Sequence, residues 1–176
     1  MPQNRDSQGF HPHFSLWLAD PEQLRRTLVG HHDVLRDLLA RLHGIEKSGS
    51  ANHMLLVGPR GIGKTHLLCL AASYVSGRLP IPDDWTGPSK RWVCVFFAEE
   101  EYAGQDSLAS FLLTLFTKLS EAPPLEALWT LPPNLRAQED QAVVDCCFER
   151  LERFHKEKNK RVVLVVDNLQ KVLQQW

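Results

Sequence analysis

The sequence predicts an α/β fold: a parallel sheet held between layers of helices. Two observations carry that expectation. Three short apolar runs, HMLLV (53–57), WVCVFFA (92–98) and RVVLVV (161–166), are separated by stretches in which apolar residues recur at helical spacing. The order strand, helix, strand, helices, strand suits a parallel sheet, whose crossovers must pass over its faces. The first run also enters a glycine-rich turn and leaves it as a helix.

The elements follow in order. Residues 1–13 are polar and are expected to form a flexible N-terminus, with one domain over 14–176. In ADPEQLRRTLVG (19–30), Asp20 suits a cap and Pro21 a first helical position. Gln23 stands where a capping box needs it, and Gly30 makes a turn. From 31 to 43, Val34, Leu35, Leu38, Leu39 and Leu42 mark an amphipathic helix. HMLLV reads as a buried strand, and a helix from about Lys64 to Ser76 stops at Gly77. RLPIPDDWTGPSKR (78–91), with three prolines and a glycine, is a surface loop. WVCVFFA is the second strand. Leu108, Phe111, Leu112, Leu115, Phe116 and Leu119 mark another helix, broken by two Pro-Pro pairs in EAPPLEALWTLPPN (121–134). Val143, Val144, Cys147, Phe148, Leu151 and Phe154 give the last long helix, and RVVLVV the third strand.

The totals narrow the class. With 43% apolar residues in 176, the chain has enough for one sizeable core. Twenty Lys and Arg against 21 Asp and Glu give net charge -1, so no overall basic field recruits nucleic acid or an anionic membrane. Cys69, Cys94, Cys146 and Cys147 lack CxxC spacing, no apolar signal segment leads the chain, and no apolar run is long enough to span a membrane. Reduced thiols and a cytoplasmic location are expected. No cysteine or carboxylate stands at zinc-ligand spacing from the eight histidines.

The turn after the first run is Gly58-Pro59-Arg60-Gly61-Ile62-Gly63-Lys64-Thr65, a full match to GxxxxGK[ST]. A loop whose backbone N–H groups surround a triphosphate needs side chains absent where it is tight, hence Gly58, Gly61 and Gly63. Lys64 brings a cation to the outer phosphates, and the Thr65 hydroxyl suits the Mg²⁺ bridging them. The following helix adds its positive end. Pro59, Arg60 and Ile62 complete the nucleotide-binding set and His66 follows it; Arg60 is expected to face solvent and His66 the sheet or neighbouring helices. The fold class sharpens to a three-layer P-loop NTPase binding ATP or ADP with Mg²⁺.

Such a site needs a second acid at the tip of another strand, and VVLVVD (162–167) supplies Asp167. Asn168 follows where many such ATPases place a glutamate to polarise the attacking water. An amide accepts no proton, and losing a general base forfeits roughly 10²–10⁴ in rate. Glu99 and Glu100, just past the second strand, are candidate substitutes, because ligands sit at the carboxyl ends of parallel strands. A solvated acidic loop is the plainer reading of the same residues.

These segments resemble the AAA+ ATPases, in the branch that includes origin-recognition ATPases and their bacterial relatives. TLVGHHDVLRDLLARL (27–42) is similar to the family's entry motif, an apolar-Gly turn packing on the adenine, and the match implies that role for Val29 and Gly30. His31 and His32 depart from its usual Gly-Arg-Glu. LLVGPRGIGKTHLL (55–68) is similar to its phosphate loop, and VVLVVDNL (162–169) to its Mg²⁺ strand except at Asn168. The acidic segment ending in Tyr102 also looks like bacterial members.

In that family a further strand, later in sequence, lies between the phosphate-loop strand and the Mg²⁺ strand. The resemblance therefore implies an incomplete domain here, lacking the central and last strands, the arginine finger and the lid, and poorly stable alone. It further implies a nucleotide-dependent switch or motor part, acting in a homo-oligomer or on a protein partner, with nucleic acid reached only through missing regions. Two alternatives stay open: a non-hydrolysing nucleotide-binding scaffold or fragment, and a small-molecule kinase whose first and third strands pair directly.

Overall fold

The computed structural model describes residues 19–49, 53–89, 92–98, 106–120 and 129–174. In chain order these form α1 (Pro21–Thr27), α2 (His32–Ser48), α3 (Lys64–Val75), β1 (Trp92–Phe97), α4 (Leu108–Ser120), a 3-10 turn (Leu135–Ala137), α5 (Asp140–Lys158), β2 (Arg161–Val166) and α6 (Leu169–Leu173).

At the start of α1 the Asp20 carboxylate accepts the Glu22 N–H at 3.1 Å, and Pro21 fills a position whose N–H would lack a helical partner anyway. The cap thus takes the amide of Glu22, not that of Gln23 as a capping box would. α2 runs further than its periodicity predicts. Ile45 extends the buried stripe of Leu35, Leu39 and Leu42, and the helix ends only at Gly49, whose left-handed backbone returns its N–H to the Ile45 carbonyl. α3 ends as expected, with Gly77 at φ 77° beyond it.

β1 and β2 pair in parallel, Trp92 opposite Arg161 through Phe97 opposite Val166. Alternate side chains leave opposite faces of a strand, and here they separate two cores. Trp92, Cys94 and Phe96 of β1 and Val163 and Val165 of β2 join the apolar residues of α1, α2 and α3. Val93, Val95, Phe97, Val162 and Val166 join those of α4 and α5, where Trp129 is buried between Phe116 and Phe154. Helices, sheet and helices make three layers, an arrangement compatible with an incomplete α/β P-loop fold. Among the described residues no helix is long and apolar enough to cross a membrane.

The first predicted strand is not one. Residues 53–57 run without regular structure, and the sheet of the described residues holds only β1 and β2. Leu56 packs on the first core, while Met54, Leu55 and Val57 are 39%, 73% and 81% exposed. A strand exists through hydrogen bonds to a neighbour, and no described strand pairs with this segment. The direct pairing of 53–57 with β2 that a kinase-like order requires is also not made. A broad cleft of about 2320 Å³ is lined on one side by residues 53–58 and on the other by β2.

Candidate functional site

The glycine-rich turn occupies the mouth of this cleft, immediately before α3. Gly61 and Gly63 adopt φ 84° and 94°, left-handed conformations that other residues enter at a cost. Gly58 differs: a Cβ there would come within 3.3 Å of Ile62 Cγ2, a tight contact that the Ile62 side chain would have to relieve by shifting slightly. The Lys64 ammonium folds back over the turn and donates to the carbonyls of Gly58 at 2.8 Å and Pro59 at 2.9 Å.

The opening turn of α3 has features that suit an anion. Gly63, its N-cap, offers no side-chain bond, and no acidic residue stands in the first turn. The first N–H groups of a helix have no partners within it and carry a partial positive charge, so an uncapped start leaves both available. A twelve-residue helix supplies most of the dipole effect, which arises in its first turn.

Asp167 closes the other side. Its N–H donates to the Phe97 carbonyl at 3.0 Å, which continues the β1–β2 ladder one step and fixes the residue at the carboxyl end of β2. Burial pushes the Cys69 thiol up to about 12, and the Asp167 charge adds to the rise. Cys69 lies one helical turn beyond Thr65, on the same face of α3. Gly58, Arg60, Gly61, Gly63, Lys64, Thr65, His66, Asp167 and Asn168 all line the single cleft. Among the described residues no group of three or more His, Cys, Asp or Glu is arranged to hold a metal ion through protein ligands alone.

Other candidates lie elsewhere. Pro59 and Ile62 belong to the turn but not to the cleft wall, Ile62 being 43% exposed. Val29 and Gly30 lie on the turn from α1 to α2, outside the cleft lining; Val29 is 88% exposed and Gly30 has φ 70°. Glu99 and Glu100 fall outside the described residues.

His66 faces a neighbouring helix as expected, but its partner there, and one charged pair, escape sequence reasoning. His66 turns its Nε2 to the Leu24 carbonyl of α1 at 2.7 Å, a contact between residues far apart in sequence that no local pattern signals. Val34, Asp37, Leu38 and Arg41 of α2 line the cleft, and the charged pair among them, Arg41 to Asp37 at 2.7 Å, reads in the sequence as an ordinary solvated helix face.

Comparison with curated proteins gives no match, and neither does comparison with solved structures. A family model does match: that of the AAA ATPase domain, over residues 27–175, which takes in the glycine-rich turn, both strands and Asp167. The chain belongs to the AAA ATPase domain family.

Proposed function

We propose that the chain binds Mg-ATP at residues 58–65 and serves as a nucleotide-dependent switch of the AAA+ type, resembling the origin-recognition branch and its bacterial relatives. One observation carries the reading: a turn with two left-handed glycines delivers a lysine and an uncapped helix start into one cleft. The residues fit the implied group. Backbone N–H groups of the turn and of the start of α3 would hold the phosphates, and Lys64, bonded here to two carbonyls, would offer its ammonium to phosphate oxygens in a stronger charge-assisted bond. Thr65 and Asp167 would hold Mg²⁺, which supplies charge neutralisation at the outer phosphates.

Calorimetric titration with Mg-ATP tests the assignment. Binding is expected for the wild type, and Lys64→Ala is expected to weaken it at least about a hundredfold, the loss of one multiply bonded charged contact. Retained affinity in that variant would refute the phosphate-loop reading.

Asn168 favours a second reading, a binding scaffold with little turnover, because an amide cannot take the proton of an attacking water. Turnover measured beside binding separates the two. If a carboxylate past β1 is the base, Glu99→Gln or Glu100→Gln lowers turnover about a hundredfold with Mg-ATP affinity kept; unchanged turnover in both variants removes them from the mechanism.

A further inference from the structure

Asp167 is tied to the last residue of β1. β2 ends at Val166, opposite Phe97, and Asn168 at φ 54° turns the chain away directly after Asp167. The Asp167 N–H donates to the Phe97 carbonyl at 3.0 Å, one step beyond the last paired residues. Where Phe97 sits therefore sets the point from which the Asp167 side chain starts.

In a strand the carbonyl points along the sheet and the side chain stands across it. Phe97 thus faces two ways. Its carbonyl meets Asp167, and its ring is fully buried in the core shared with α4 and α5. There Phe111 of α4 stacks on it, with ring centres 4.7 Å apart and planes at 22°, and the Lys118 ammonium lies 5.3 Å from the centre of the same ring. Such pairs contribute beyond the area they bury, and only in particular geometries. α4 presents Phe111 from a fixed start. Ser107 and Ser110 each accept the other's N–H on the side-chain oxygen, both at 3.2 Å, and the Phe111 N–H donates to the Ser107 carbonyl at 3.1 Å.

We infer that Phe111 is a positioning residue for Asp167: through the ring and carbonyl of Phe97 it sets where the acid stands in the cleft, and so how well Asp167 and Thr65 together hold Mg²⁺. The inference rests on the Mg-ATP site proposed above. Phe111 does not itself line the cleft. Its effect is therefore selective: the glycine-rich turn and Lys64 reach phosphates without help from β2, and loss of the stack withdraws only the share of binding that the metal brings.

The test compares Mg-ATP with ATP in the presence of a chelator, on the wild type, Phe111→Leu, Phe111→Tyr and Asp167→Asn. Phe111→Leu keeps an apolar side chain and removes the ring. Its affinity for Mg-ATP is expected to fall about tenfold, as when the support of a metal ligand is lost, while metal-free ATP binds within about twofold of wild type. Asp167→Asn is expected to show the same split, and Phe111→Tyr, which keeps the ring, to bind Mg-ATP within about threefold of wild type. The ratio of the two affinities is read on folded molecules, so a smaller folded fraction does not imitate the effect. Equal losses for both ligands, an unchanged Mg-ATP affinity in Phe111→Leu, or a Phe111→Tyr variant no better than Phe111→Leu overturns the role. A wild type that binds neither form overturns the Mg-ATP site instead, and an Asp167→Asn variant that keeps its Mg-ATP affinity overturns the metal role of Asp167; the role of Phe111 falls with either.

Discussion

Asn168 sits directly after Asp167 with φ 54°, in the left-handed region. Asparagine tolerates this conformation better than most residues, whereas a glutamate there would cost on the order of 1 kcal/mol. The residue thus combines a backbone that turns β2 into α6 with a side chain that cannot act as a base. Asn168→Glu is expected to raise ATP turnover about a hundredfold and to lower the melting temperature by about 2–4 °C; turnover assays and calorimetry on the same sample check both. At this scale the glycine-rich turn was largely legible, since its glycine spacing and the helix that starts at Lys64 are local patterns. The Leu24 partner of His66 was not, because it depends on how α1 is seated against α3, and spacing along the chain carries no information about that.

Among the elements, α2 and the segment leading into β1 are joined through Glu46. Its carboxylate accepts the Ser89 N–H at 3.0 Å, the Ser89 hydroxyl at 2.8 Å and the Trp92 indole N–H. Burial alone would raise its pKa, but the bonds from Ser89 and Trp92 outweigh it and hold Glu46 below its ordinary 4.5. A depressed carboxylate contributes stability that is full above the unfolded value and is lost as pH falls through the folded one. Glu46→Gln is therefore expected to be less stable at neutral pH and to lose less further stability on acidification below about pH 5, as denaturant titrations at several pH values would reveal. Periodicity predicted α2 itself but not this tie, which needs the loop at 89 folded back. Periodicity also misread residues 53–57. Four successive apolar residues, Met54 to Val57, announce a segment that gains from burial, yet a strand additionally requires a partner edge, and a run of side chains does not say where one lies.

At the scale of the whole molecule, the described residues form a two-stranded sheet between two cores, and the alternation of apolar runs with helices was enough to foresee its layers. Strand order came from the family resemblance and not from the strands' own residues: the expected gap between 53–57 and the third run agrees with a sheet in which, among the described residues, 53–57 does not pair with β2. On one side β2 meets β1, and on the other, among the described residues, it meets only the cleft. In a parallel ladder bonding alternates along the strand. The bond from the Asp167 N–H to Phe97 fixes the phase: the amides of Val163 and Val165 point to β1, and those of Val162, Leu164 and Val166 point the other way. Transfer to deuterated water should then write a two-beat rhythm into one short strand, quick loss of signal at even positions and slow loss at odd ones, visible residue by residue in amide spectra.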